Sequence, residues 1–70
     1  MTYVFDVFDD LGPIGDNGKS LKIIRWGDGQ PKFDFRNWRR DEEGNLLPGK
    51  GITFTKAEAR DLIEAIEKVL

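Results

Sequence analysis

Lys32-Phe33-Asp34-Phe35-Arg36-Asn37-Trp38-Arg39-Arg40 alternates apolar with polar side chains, the two-residue period of a β-strand. Read as a strand over Lys32 to Arg39, it points Phe33 and Phe35 to one face, the expected core face. Asp34, Arg36 and Trp38 point to the other. A tryptophan between arginines on the face away from a core suits a single strand of nucleic acid. Such a strand needs a flat surface for its bases and cations for its phosphates. The plainer reading has Trp38 completing the core, since aromatic residues favour pleated surfaces in any case.

Working outward, Ser20 to Trp26 reads as the strand before it, with Leu21 and Ile23 on one face and Lys22, Ile24 and Trp26 on the other. Gly27-Asp28-Gly29-Gln30-Pro31 joins the two as a hairpin loop. Tyr3 to Phe8 reads as a first strand, rich in β-formers. The segment from Asp9 to Lys19 holds Gly12, Pro13, Gly15, Asn17 and Gly18, and so reads as a connection with a tight turn at Asp16-Asn17-Gly18. On the other side, Asp41 to Asn45 is a polar turn, Leu46-Leu47 is a short extended piece, and Pro48-Gly49-Lys50-Gly51 reads as another turn. Ile52-Thr53-Phe54 is a brief fourth strand.

The C-terminal segment is the clearest element. Thr55 followed by Glu58 is a capping box, in which hydroxyl and carboxylate each satisfy a helix-end N–H. Ala59, Leu62, Ile63, Ile66, Val69 and Leu70 then recur at helical spacing along one stripe. Glu58, Arg60, Asp61, Glu64, Glu67 and Lys68 mostly keep the opposite face wet. The order is ββββα, an α+β domain in which the helix packs on its own antiparallel sheet. A partner helix is the further expectation, because 70 residues bury only a modest core and oligomerisation is a common remedy.

The chain contains no cysteine and no histidine. Disulfides, thiolate metal sites and the commonest general base are therefore excluded. No cofactor and no metal are expected. Asp9-Asp10 and Asp41-Glu42-Glu43 are the only acidic groupings a hard cation would suit, and no nucleophile–base pair accompanies them. The reading is that the protein is not an enzyme and has no catalytic residues. No apolar run approaches a membrane span, and no signal-like layout opens the chain. A cytoplasmic protein is expected, associated with the nucleoid if bacterial.

The net charge of −2 hides an uneven distribution. Residues 1–18 hold Asp6, Asp9, Asp10 and Asp16 and no base. Residues 19–40 hold Lys19, Lys22, Arg25, Lys32, Arg36, Arg39 and Arg40 against Asp28 and Asp34. An acidic chain that gathers its positive charge in one central block is suited to a polyanion.

With Trp26, the hairpin, Phe33-Asp34-Phe35-Arg36-Asn37-Trp38, the acidic turn with Gly44, Pro48-Gly49-Lys50-Gly51-Ile52-Thr53 and the capped helix in place, the chain resembles the positive cofactor 4 family. These are transcriptional coactivators with bacterial and phage relatives. The likeness covers residues of about 20 to 70, within a single domain spanning 1–70. It implies a curved four-stranded antiparallel sheet, a homodimer formed through helices and sheet edges, and binding of single-stranded DNA or melted duplex with little sequence preference. Carried over by position, Trp26 and Trp38 match base-stacking aromatics. Arg36 matches a phosphate-binding arginine, Lys50 a basic loop residue, and Asp34 a structural acid. Leu47 stands where a base is usual, and Gly27 and Gly29 replace hairpin bases. Arg39 and Arg40 after Trp38, and Arg25 and Lys32 around the hairpin, read as a relocated basic surface.

The expected DNA-binding set is therefore Trp26, Trp38, Arg36, Arg39, Arg40, Lys50, Lys32, Arg25 and Lys22. The expected dimer interface is Leu62, Ile63, Ile66 and Leu70. RNA is an alternative ligand, since stacking does not sense the 2′-hydroxyl. The alternative function is a protein–protein adaptor using the same aromatic and arginine face, because those residues also anchor protein interfaces.

Overall fold

Four strands and one helix follow one another along the residues described by the computed structural model, 4–70. Tyr3, read as part of the first strand, lies outside them. The elements are β1 (Phe5–Pro13), β2 (Lys19–Trp26), β3 (Lys32–Arg40), β4 (Leu46–Phe54) and α1 (Lys56–Glu67). Each strand pairs antiparallel with the next, giving one open sheet in the order β1-β2-β3-β4. The ββββα order expected from the sequence is the observed one. The capping box is complete: the Glu58 N–H donates to the Thr55 hydroxyl at 3.1 Å, and the Thr55 N–H donates to the Glu58 carboxylate at 2.8 Å.

Two strands are longer than the sequence suggests. β1 runs on to Pro13 through two register shifts, one between Val7 and Asp9 and one between Asp10 and Gly12. Each bulge inserts a residue without ending the pairing, so the glycine and proline here interrupt the pattern but not the strand. β4 runs straight through Pro48-Gly49-Lys50-Gly51, which had read as a turn. β4 is an edge strand, where a proline need not donate to a neighbour. The glycines are required by contact. A Cβ on Gly51 would run into the Arg36 Cβ, and one on Gly49 would lie 2.9 Å from the Asn37 carbonyl oxygen. β3 and β4 therefore approach more closely here than side chains would allow. A register shift between Arg36 and Trp38 absorbs the extra residue.

The alternation in β3 holds, but the deepest burial lies on the face opposite to the expected one. Ile24 and Asp34 are fully buried, Lys22 nearly so, and Phe33 and Phe35 only half-buried. Curl explains this. Trp26 ends β2, whereas the Trp38 N–H bonds the Gly18 carbonyl beyond the other end of β2. In a flat sheet those positions are roughly 25 Å apart, at about 3.3 Å per residue. Their rings are nonetheless 6.5 Å apart between centroids and within 5° of parallel. Phe5, on β1, reaches both, at 5.1 Å from Trp26 and 5.5 Å from Trp38. The sheet is therefore strongly concave on this side, and rings from its two ends fold over Ile24 and Asp34.

The convex face carries Leu21, Phe33, Phe35, Ile52 and Phe54, with the Phe33 and Phe54 rings stacked at 5.5 Å. α1 lies over it without sealing it. An apolar groove of about 490 Å³ separates these residues from Ala59, Leu62, Ile63 and Ile66. No residue of α1 is buried, and Ile63 and Ile66 are about half exposed. The helix packs on its own sheet as expected, but it leaves that face partly open. A sheet that bends away from its helix leaves too little matching surface for one 12-residue helix to cover. Val69 and Leu70 fall beyond the helix end and are exposed.

Replacing Gly51 with alanine should force β3 and β4 apart and lower stability by about 1–3 kcal/mol, the usual result of overpacking. Urea unfolding of Gly51→Ala measures this. An unchanged midpoint would mean that the two strands are not held as closely as the contacts require.

Candidate nucleic-acid interface

Strand alternation sorts the sequence-derived residues onto two faces. Trp26, Lys32, Arg36, Trp38, Arg40 and Lys22 belong to the concave side. Lys32 pairs with Ile24, Lys22 with Asp34, and Arg36 with Gly51. Arg25, Arg39 and Lys50 belong to the convex side. The Arg25 guanidinium is already engaged there, paired with Asp6 at 2.5 Å and 5.5 Å from the centre of the Phe8 ring. Lys50 lines a cavity with Phe35, Asn37 and Ile52. The central basic block is therefore divided between the faces.

Asp34 organises the concave site. Its buried carboxylate accepts the Trp26 indole N–H at 3.1 Å on one oxygen and the Arg36 Nε–H at 2.6 Å on the other. Arg36 also donates from Nη1 to the Gly49 carbonyl at 3.1 Å. These bonds hold the guanidinium 4.9 Å from the centre of the Trp26 ring, within cation–π range. A stacking ring and a cation are thus fixed side by side by a single group. The hairpin supplies the rest. The Gly29 N–H bonds the Trp26 carbonyl at 3.0 Å, and Gly27 takes φ +55°, a turn conformation open to glycine at little steric expense. That tight turn brings Gln30 and Lys32 back beside Trp26. Trp26, Gly29, Gln30, Lys32, Arg36 and Thr53 line an open cavity of about 440 Å³. Lys32 has no acidic partner among the described residues.

Trp38 and Lys22 face inward instead. Trp38 packs on Trp26 and Phe5, and its indole N–H is buried without an acceptor. Leaving such a donor unpaired costs about 1–3 kcal/mol, so packing rather than hydrogen bonding holds this ring. The Lys22 ammonium pairs with Asp10 at 2.8 Å and lies 5.5 Å from the centre of the Trp38 ring. The same hydrogen bond, joined by one from the Gly12 N–H, holds the Asp10 carboxyl below the usual carboxylate range. Arg40 is exposed and donates to the Gly44 carbonyl at 2.7 Å. Asp41, in the acidic turn, accepts from the N–H groups of Asn45 and Glu43, at 2.8 and 2.9 Å. These bonds lower its carboxyl as well.

Phe5 is the site residue that the sequence reading missed. It sits directly opposite Trp26 on β1 and supports both tryptophans. No sequence signal gives that pairing, because it depends on the two bulges in β1.

Removing the Asp34 carboxylate would leave a guanidinium and an indole N–H without their shared acceptor. Asp34→Ala should destabilise by about 3–5 kcal/mol, as when one partner of a buried pair is deleted, and Asp34→Asn by less. Chemical denaturation checks both, and a loss under about 1 kcal/mol for alanine would contradict the organising role.

The family model for the transcriptional coactivator p15 (PC4) matches residues 15–65. That span takes in β2, β3, β4 and most of α1, and with them every concave-side residue named above except Phe5 and Asp10. Among curated proteins and among solved structures, none matches the chain. No helix among the described residues is long and apolar enough to cross a membrane. Three of the four strands, most of the helix and the Trp26–Asp34–Arg36 site fall in the matched span, and the chain belongs to the transcriptional coactivator p15 (PC4) family, whose members bind single-stranded DNA.

Proposed function

We propose that this chain binds single-stranded DNA with little sequence preference on the concave face of its sheet. The observation that carries the reading is the Asp34-held pair of Trp26 and Arg36 beside an open cavity with Lys32 on its rim. A base stacks on the Trp26–Arg36 surface, and Arg36 and Lys32 neutralise the adjoining phosphates. Every base has a π face, so stacking tolerates any sequence and is worth roughly 1–3 kcal/mol per base. Duplex DNA hides those faces and is disfavoured. Trp38 backs the platform from within, and Arg40 extends the positive surface along the same face. Arg25, Arg39 and Lys50 add cationic charge from the other side.

The same reading includes a homodimer. The groove between α1 and the sheet, with Leu62, Ile63 and Ile66 about half exposed, offers an apolar surface that a second copy would cover. Leu70 extends that surface past the helix end. Sedimentation equilibrium at tens of micromolar should give the mass of two chains. A monomer there would remove the dimer from the reading.

Two tryptophan variants test the binding itself. Trp26→Ala should cost about 1–3 kcal/mol of affinity for a single-stranded oligonucleotide and, because it leaves one oxygen of the buried Asp34 carboxylate without its donor, about 1–3 kcal/mol of stability as well. Trp38→Ala should lower stability by about 3–5 kcal/mol, as for a truncated packing residue, while the fraction that remains folded still binds. Oligonucleotide affinity and thermal melting, measured on both proteins, separate these patterns. Affinity should also fall steeply with salt as counterions are released. A salt-independent partner would instead favour a protein-docking use of the same face.

A further inference from the structure

The Trp26 cavity holds two side chains that stacking and phosphate neutralisation leave unused. Trp26, Arg36 and Lys32 supply its ring and its cations, and the rest of the lining is Gly29, Gln30 and Thr53. Gln30 and Thr53 are exposed and uncharged. No side-chain hydrogen bond among the described residues uses either of them. The Trp26 indole N–H, by contrast, is already committed to Asp34. A base lying on the Trp26 ring turns an edge of donors and acceptors toward the cavity wall. Gln30 and Thr53 are the neutral partners that the wall offers to that edge.

Gln30 is the better matched of the two. A primary amide carries a donor and an acceptor side by side, whereas the Thr53 hydroxyl has one oxygen for both roles. Half a turn about the last side-chain bond exchanges the amide's donor and acceptor. The exocyclic group donates in cytosine and adenine and accepts in thymine and guanine, and the ring nitrogen beside it on the pairing edge has the opposite character. One amide therefore satisfies all four bases by turning over. The backbone at Gln30 is also constrained from both sides. The Gly29 N–H bonds the Trp26 carbonyl at 3.0 Å, which turns the chain back beside the ring. Pro31 follows, and a proline confines the residue before it to extended backbone.

We propose that the Gln30 amide hydrogen-bonds the pairing edge of the base stacked on Trp26, whichever base that is. This rests on the single-strand reading given above and adds to stacking a polar contact that keeps its tolerance of sequence. It also adds a reason for the site to reject duplex. A strand whose pairing edges are already used has nothing to offer the amide.

Gln30→Ala and Gln30→Glu test this with thymidylate and cytidylate oligomers of equal length, within the roughly 4–16 nucleotides that small single-strand-binding folds cover. Tryptophan fluorescence follows each titration at slightly alkaline pH, where cytidylate does not self-pair. Gln30 is exposed, and circular dichroism checks that both variants fold. Gln30→Ala should lose about three- to tenfold in affinity, equally for both oligomers, the range of one neutral hydrogen bond. A carboxylate accepts from the cytosine amine but opposes the thymine carbonyls. Gln30→Glu should therefore weaken both oligomers through phosphate repulsion and tilt their affinity ratio at least about fivefold toward cytidylate. The oligomers carry equal charge, so the ratio does not respond to the general field. Unchanged affinity in Gln30→Ala would overturn the proposal, and so would a loss confined to one oligomer. An unmoved ratio in Gln30→Glu would overturn it too, since the side chain would then face phosphate or solvent. If the unaltered chain bound neither oligomer, the concave-face reading itself would fail, and the Gln30 contact with it.

Discussion

A carboxylate with no access to water sits at the centre of this fold. Ionised Asp34 in an apolar setting is unfavourable unless its oxygens are occupied by strong donors. Both are: one by the Arg36 guanidinium and one by the Trp26 indole. The geometry of the concave face follows from that requirement. Trp26 cannot rotate without losing its acceptor. Arg36 cannot swing into solvent without leaving the carboxylate, and its Nη1 is fastened a second time to Gly49. A surface arginine is normally mobile and loses much rotamer entropy on ordering. Here the ordering is already done in the folded chain, and a ligand meets a cation and a ring whose positions are fixed.

The closeness of β3 and β4 belongs to the same arrangement. Arg36 reaches the Gly49 carbonyl because residues 49 and 51 have no side chains in the way. The glycines also let the sheet bend where β3 shifts register between Arg36 and Trp38. That bend, with the two bulges in β1, produces the concavity that gathers Phe5, Trp26 and Trp38. Bulges increase local twist and aim side chains anew. The backbone irregularities are thus what allow residues far apart along the strands to share one small cluster.

Periodicity made much of this legible. The alternation in Lys32 to Arg40, the glycine-marked hairpin at Gly27–Pro31 and the Thr55–Glu58 capping box each have a local physical cause, and each appears where the sequence put it. The reading of Asp34 as a structural acid came from the family resemblance and not from periodicity. What was not legible depends on non-local geometry. Strand alternation assigns a face but does not say which face is concave, so Phe33 and Phe35 looked like the core while Ile24 and Asp34 are buried more deeply. Pro48-Gly49-Lys50-Gly51 has turn composition, and only the close neighbour β3 shows why those residues form a strand. Phe5 became part of the site through a register that two bulges set.

The two faces of the sheet end up in different states, and the difference has a consequence. The concave face is complete within one chain: its buried ion pairs, its three rings and its fully buried Ile24 all come from β1, β2 and β3. The convex face is not, since its groove remains open and its helix buries none of its residues. A small domain obtains most of its stability from apolar burial. A second copy on the convex groove would therefore act mainly on stability, while the orientation of Trp26 and Arg36 stays under the control of Asp34 in each chain. On this arrangement the Trp26–Arg36 geometry is a property of the single fold, and a dimer would change only how much of that fold persists at a given concentration, since binding to the folded state alone raises its apparent stability.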